Sequence, residues 1–205
     1  LSELLDLSGL FQVRPHKDIE SAWKQFVATT AAKLKTDGAV DLNASELSLW
    51  KSSAVEVFTL GRIEKEGSSF SLKIQTIDIN TGKTVIGKKY SRVDRKDFET
   101  VVKRYADSIL ELYTGRPGIF NSRLVFVGKK TSKSPKQVYM ADLDGSNVIQ
   151  ITNNRDRGIP VLSPDWSRDG RYITFTYYKD GNPDIYRYDV KTGQTIKISG
   201  RKGLN

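Results

Sequence analysis

The second half of the chain alternates apolar and polar positions with the two-residue period of β-strands. Four such segments lie between Val161 and Ile198, and turns at Asp169-Gly170, Asp180-Gly181 and Thr192-Gly193 separate them. Glycine permits the positive φ of tight turns, and β-branched and aromatic residues fill the segments between them. The pattern predicts a four-stranded antiparallel meander, which has the size and form of one propeller blade.

The same pattern occurs earlier in the chain, so the meander is a repeat. The earlier copy has three predicted strands, at residues 124–127, 138–142 and 149–152. The spacing between the equivalent residues Asp142 and Asp189 falls within the period of propeller repeats. The sequence therefore predicts one partial and one complete blade.

Helical periodicity dominates the first half, where apolar residues recur at intervals of three and four. Asp18 and Asp94 are predicted N-caps, Asn43-Ala44-Ser45-Glu46 has the spacing of a capping box, and glycines follow the ends. A short strand or an extended link is expected from Leu10 to Val13. The predicted helices lie at residues 1–7, from Asp18 to Gly38, after Asn43, and from Asp94 to Gly115.

Three strand segments lie between these helices, at residues 54–61, 70–79 and 84–90. The apolar phase changes between Ile74 and Ile77, which predicts a β-bulge near Gln75-Thr76. The expected architecture is an α+β domain, residues 1–118, in which helices cover one face of a small sheet. An incomplete β-propeller of about two blades would follow at residues 119–205.

Composition and charge narrow the possible classes of protein. The 205 residues are 38% hydrophobic and 28% charged, which is typical of globular proteins, and there is no cysteine. Residues 120–205 hold 15 Lys and Arg against 8 Asp and Glu. These cations are mostly dispersed over turns and alternating strand positions, so a solvated surface is favoured over a nucleic-acid interface. No apolar run is long enough for a membrane helix.

The sequence contains no constellation typical of catalysis, and no cofactor or metal site is expected. His16 is the only histidine, and no Gly-x-Ser-x-Gly motif or phosphate-binding loop accompanies it. Asp142 to Asn147 could suggest a calcium loop, but the glycine is at the wrong position, so a tight turn is favoured. Tyr177, Tyr178, Tyr186 and Tyr188 are expected between blades rather than on a stacking platform.

Several motifs resemble one known family. Pro164-Asp165-Trp166-Ser167-Arg168-Asp169-Gly170 and Asp142-Leu143-Asp144-Gly145-Ser146-Asn147 are similar to the repeats of the TolB family, periplasmic proteins of the Tol–Pal system in Gram-negative envelopes. Arg168 stands where the family usually has proline. In the first half, Asp6 to Phe11 and Tyr113 to Phe120 are also similar to TolB segments. The resemblance therefore spans nearly the whole chain.

The resemblance implies a non-catalytic periplasmic adaptor. Its propeller would bind Pal, the peptidoglycan-associated lipoprotein, and a segment preceding Leu1 would link it to TolA at the inner membrane. These interactions would serve outer-membrane integrity and cell division, without insertion into the membrane and without nucleic acid. Lys103 stands where many members carry a histidine, so no role of that histidine is carried over.

Two further expectations concern the blades. Similar blades occur in the gating propellers of serine peptidases, so a peptidase module without its hydrolase domain is the alternative function. Because two blades leave exposed strand edges, we expect the chain to be a fragment of a longer protein.

The candidate partner-binding residues lie where the first strand of the complete blade begins. They are Arg157, Pro160, Leu162 and Ser163. The competing interpretation is that these are ordinary residues of a loop between blades.

Overall fold

The computed structural model describes residues 1–14, 16–34, 38–51, 54–155, 158–201 and 203. The chain forms two compact units, Leu1–Asn121 and Ser122–Asn205. In the described ranges, the first unit combines helices with one antiparallel sheet, and the second contains two antiparallel sheets. The predicted order, an α+β region followed by strand meanders, is confirmed.

Among the described residues of the first unit, three α-helices precede the sheet and one follows it. They are α1 (Ser2–Leu7), α2 (His16–Leu34), α3 (Ala44–Lys51) and α4 (Phe98–Thr114). The prediction for Asp18 was wrong, because α2 begins earlier, at His16, and an N-cap must lie outside the helix. Residues 11–14 form an extended link without strand pairing.

The ends of α3 and α4 have identifiable causes. The Asn43 side-chain oxygen accepts a hydrogen bond from the Glu46 N–H at 3.0 Å, and the Glu46 carboxylate accepts one from the Asn43 N–H at 2.8 Å. This is the predicted capping box. Gly115 ends α4 in the left-handed conformation, with φ +67°. Asp94, in contrast, precedes a short 3-10 helix, Arg95–Asp97, and makes no side-chain cap.

The sheet of the first unit is a meander of β1 (Val57–Glu66), β2 (Ser69–Asp78) and β3 (Thr84–Val93). Strand β2 pairs with β1 without interruption. Its register with β3 shifts between Thr76 and Ile77, where the bulge was predicted, but the extra residue is Val85 in β3.

Both faces of this sheet are covered by helices, which corrects the expectation of one covered face. On one face, Ile77 of β2 packs with Phe26 of α2 and Trp50 of α3. On the other, Leu72 and Ile74 pack with α4. The change of apolar phase along β2 therefore reflects burial on both sides of the strand.

The chain that follows α4 is tied back to that helix. The Asp107 carboxylate accepts a hydrogen bond from the Phe120 N–H at 2.7 Å and from the Asn121 amide at 2.6 Å. Gly118 packs so closely that an added Cβ would lie 2.2 Å from the Asp107 Oδ1. Any side chain at position 118 would displace the carboxylate.

The described part of the second unit contains seven strands in two meanders. The first sheet consists of β4 (Arg123–Gly128), β5 (Gln137–Asp142) and β6 (Ile149–Gln150) in sequential order. The second has the order β10-β9-β8-β7, with β7 (Val161–Trp166), β8 (Tyr172–Tyr177), β9 (Asp184–Asp189) and β10 (Thr195–Ser199). These are the partial and the complete meander that the repeat predicts.

The core of the second unit lies between its two sheets. Val138 and Met140 of β5 meet Val161 of β7 and Ile173 and Phe175 of β8. Alternate residues point outward: Leu124 is 45% exposed and Phe126 39%. Tyr177, Tyr186 and Tyr188 belong to the core between the sheets, as expected, while Tyr178 does not.

Candidate protein-interaction site

Strand β7 forms one edge of the complete meander. It pairs with β8 on one side, and within the described residues no strand follows on the other. A row of its backbone N–H and C=O groups is therefore available to a partner. Val161 is fully buried in the core, so the alternation of the strand directs its neighbour Leu162 to the opposite face, where it is 41% exposed.

A β-bulge interrupts β7 directly after Leu162. Leu162 pairs with Thr176 and Asp165 with Thr174, so Ser163 and Pro164 together oppose a single residue of β8. Ser163 has φ +49°, a left-handed conformation that is uncommon for serine. Proline is tolerated here because edge strands and bulges leave its missing N–H without a required partner.

Three of the four predicted residues come together at this edge. Pro160, Leu162 and Ser163 are all exposed at the start of β7. The Pro160 carbonyl accepts a hydrogen bond from the Tyr178 N–H at 3.1 Å, which fixes the beginning of the strand. Arg157 lies outside the described residues.

A buried polar network supports this edge, and no pattern in the sequence predicts it. The Gln137 Oε1 accepts hydrogen bonds from the Thr152 hydroxyl at 2.7 Å and the Asn154 N–H at 2.8 Å. The Asn154 side-chain amide donates to the Ile159 carbonyl at 2.7 Å, next to Pro160. The start of β5 is thereby joined to the segment that enters β7.

Two aspartates at strand ends have turn-forming roles: Asp189 ends the third strand of the complete meander, and Asp142 ends the second strand of the partial one. The Asp189 Oδ1 accepts hydrogen bonds from the Thr192 N–H at 3.0 Å and the Lys191 N–H at 2.9 Å. These bonds lower the pKa of Asp189, with the Thr192 N–H as the largest cause. In the first sheet, Asp142 accepts a bond from the Asn147 amide at 3.0 Å.

The turn after Asp142 has no arrangement typical of a calcium loop. The Asp144 Oδ1 accepts from the Ser146 N–H at 2.9 Å and from its hydroxyl at 2.5 Å, which closes the turn. Among the described residues, no group of three or more His, Asp or Glu side chains is placed to hold a metal ion.

Comparison with known proteins decides which family these blades belong to. A family model described as the TolB beta propeller domain matches residues 110–205. The Tol-Pal system protein TolB of Desulfosudis oleivorans is 31% identical over 76% of this chain and 34% of its own length. The TolB of Alkalilimnicola ehrlichii is 24% identical over 100% of this chain and 44% of its own length.

A solved structure agrees with the sequence relatives. The crystal structure of TolB from Acinetobacter baumannii superposes with a TM-score of 0.69 and 25% identity, over 78% of this chain and 39% of that one. The chain belongs to the TolB family. It spans less than half the length of the relatives that it matches. The two sheets described in the second unit are blades of an open TolB-type propeller, as predicted.

Two positions at which the chain differs from the usual TolB pattern have local explanations. Arg168 occupies an exposed position in the turn between β7 and β8, which the left-handed Gly170 and the Ser167 hydroxyl close. Lys103 is buried in α4, and its ammonium group pairs with the Glu99 carboxylate at 2.6 Å.

In the part of the chain that the structure describes, no helix is long and apolar enough to cross a membrane.

Proposed function

We propose that this TolB-family chain is part of a non-catalytic periplasmic adaptor that binds Pal through its propeller unit. TolA would be bound through the family's N-terminal segment, which links the adaptor to the inner membrane. The assembly would serve outer-membrane integrity and cell division. The interaction is non-covalent and exchangeable, and it needs no cofactor.

Membership of the TolB family supports Pal as the partner, and the bulged edge of β7 is the observation that supports the place of contact. The exposed Leu162 and Ser163 belong to β7, and the exposed Pro160 directly precedes it. Val161 anchors the opposite face of this strand in the core. A partner therefore meets a pre-formed surface and does not have to order it, which lowers the entropic cost of binding.

The chemistry of this edge fits protein recognition better than catalysis. It offers an aliphatic side chain, a proline and unpaired backbone groups, and it lacks an acid–base pair. Backbone groups of an edge strand provide affinity for an extended segment, and neighbouring side chains provide specificity. The buried network of Gln137, Thr152 and Asn154 holds the entry to the strand in place.

Binding of purified Pal to the 205-residue chain, measured by calorimetry, tests the proposal. Leu162→Ala combined with Arg157→Ala should raise the Kd about tenfold, because truncating one apolar and one cationic contact costs roughly 1–2 kcal/mol.

Ile196→Ala is the matched control. Ile196 is 47% exposed, close to the exposure of Leu162, but it lies in β10 at the opposite edge of the same sheet. This variant should bind Pal as the unmodified chain does. An unchanged Kd for the double variant would remove the β7 edge from the interface.

A further inference from the structure

A second feature of the propeller unit is a loop of unbalanced positive charge. No Asp or Glu occurs between Glu111 and Asp142. Within this stretch, residues 129–136 connect β4 to β5 and contain four lysines. They are Lys129, Lys130, Lys133 and Lys136. We refer to residues 129–136 as the lysine loop.

The lysine loop presents its charges to solvent. All four lysines are exposed. The Thr131 and Ser134 hydroxyls lie 2.8 Å apart, and the Ser134 N–H donates to the Thr131 carbonyl at 3.1 Å, which forms a turn in the middle of the loop. Like charges at this density repel one another, so the loop destabilises the folded chain unless anions lie near it.

The equivalent loop of the complete meander is balanced in charge. It connects β8 to β9 and contains one lysine, Lys179, followed by Asp180. The Asp180 carboxylate lies 3.3 Å from the Lys197 ammonium group. The four lysines are therefore an addition to one repeat and not a general property of the blade.

The base of the lysine loop is held in a fixed place. Gln137, which directly follows Lys136, is 4% exposed and is bonded to Thr152 and Asn154. The loop therefore projects from a rigid strand end.

The composition of the loop indicates the kind of surface that it fits. Protein interfaces are depleted in lysine and enriched in arginine and aromatic residues, and the loop has neither of these. Single-stranded nucleic acids require stacking side chains, which are also missing from it. Clustered lysines that are not accompanied by arginine or aromatic side chains suit a broad anionic surface, where each lysine contributes through its charge alone.

We propose that the lysine loop binds bilayer surfaces that display anionic lipid headgroups. This function is additional to the binding of Pal and does not depend on it. The attraction is electrostatic and reaches about one Debye length, roughly 10 Å at 0.1 M salt, so it holds the chain at the surface without insertion.

Co-sedimentation of the 205-residue chain with phospholipid vesicles tests the proposal. The chain should bind phosphatidylcholine vesicles that contain phosphatidylglycerol, and it should not bind vesicles of phosphatidylcholine alone. Raising the salt from about 0.05 M to about 0.5 M should abolish binding, because the charges are then screened. The variant K129Q/K130Q/K133Q/K136Q should lose at least about a hundredfold in partition, since each of the four lysines near an anionic surface contributes about fivefold.

A matched control variant separates the effect of the lysine loop on vesicle binding from the effect of the chain's net charge. The variant K17Q/K65Q/K179Q/K191Q removes the same number of charges from exposed positions that lie outside the loop and are not clustered in the sequence. Its binding should stay within about twofold of the unmodified chain's, because single lysines do not form the clustered positive charge that an anionic surface attracts. Equal losses in the two variants would overturn the proposal. So would failure of the unmodified chain to bind anionic vesicles at low salt. Loop-dependent retention by duplex DNA or by Pal, without vesicle binding, would reassign the loop to that partner.

Discussion

The two units bury their sheets in different ways. In the first unit, helices cover both faces of one three-stranded sheet, and two apolar clusters result. In the second unit, the two described sheets pack face to face, so each covers one face of the other. One apolar cluster of the described residues lies between them. Leu124 and Phe126 show the consequence, because they alternate with the inward-facing Val125 and Val127 yet remain substantially exposed.

The difference shows that an alternating pattern predicts which residues share a face and not whether that face is covered. A blade of a propeller has two apolar faces because it normally lies between two neighbours. The α+β unit needs no such neighbour, since its own helices close both sides. Substitutions on inner and outer faces should therefore differ most in the second unit.

Phenylalanine truncations should show the largest effect. Phe26→Ala in the first unit and Phe175→Ala in the second should each cost about 3–5 kcal/mol, because both rings are buried and would leave cavities. Phe126→Ala, on the outer face of the first propeller sheet, should cost about 1 kcal/mol or less. Hydrogen exchange measured by mass spectrometry would assign each loss to its unit.

The matched pair Phe175 and Phe126 provides the decisive comparison, since both belong to strands of the second unit. A cost for Phe126→Ala equal to that of Phe175→Ala would show that the outer face is buried in solution.

The next largest effect should come from a buried hydroxyl of the first unit. Burial raises the pKa of Tyr105 to about 12, while the hydrogen bond with Thr76, at 2.8 Å, opposes that rise. The unfolded chain loses this proton near pH 10, so folding retains it and its contribution to stability is complete below pH 10. As the pH rises from about 9 to about 12, the free energy of unfolding should fall by about 2 kcal/mol.

Urea unfolding at both pH values, compared between the unmodified chain and Tyr105→Phe, would measure this contribution. The variant lacks the phenol proton, so its stability should depend less on pH over this range. Identical dependence in the two proteins would contradict the assignment to Tyr105.

The smallest effect concerns one bulge in each unit. In β3, a second register shift, apart from the one at Val85, places Ser91 and Arg92 opposite the single residue Ser71 of β2, and Arg92 has φ +56°. In β7, Ser163 lies in the bulge after Leu162 and has φ +49°. Glycine at either position should stabilise the chain by up to about 1 kcal/mol, because it adopts this conformation without strain. Ser163→Val should instead destabilise by about 1–2 kcal/mol, as β-branching disfavours positive φ.

Thermal unfolding would compare these variants with Thr176→Val, which places the same side chain in the regular part of β8. Equal melting temperatures for Ser163→Val and Thr176→Val would show that the bulge is not maintained in solution.

Local chemistry made much of the structure predictable. The strands of both meanders follow from alternation and glycine turns, and the capping box at Asn43 and the end of α4 at Gly115 follow from their residue types. Three of the predicted contact residues share the β7 edge because they are consecutive or nearly so.

Long-range packing accounts for the features of the structure that differ from the predictions or that no sequence pattern predicts. Burial of β2 on both faces could not be distinguished from a bulge, because each produces a change of apolar phase. The network of Gln137, Thr152 and Asn154 joins residues distant in sequence, and polar side chains have no periodicity that predicts burial. The positive φ of Ser163 arises from its register shift, and serine gives no signal of it.

The fit between Gly118 and Asp107 has a consequence for cleavage of the chain. Glycine-rich segments after helices are usual targets of proteases, which must draw several residues into an extended form. Here the amide of Phe120 is bonded to Asp107, and the Phe120 ring is 1% exposed. A protease would first have to extract that ring, so the stretch from Gly115 to Asn121 should survive limited digestion that nicks ordinary loops.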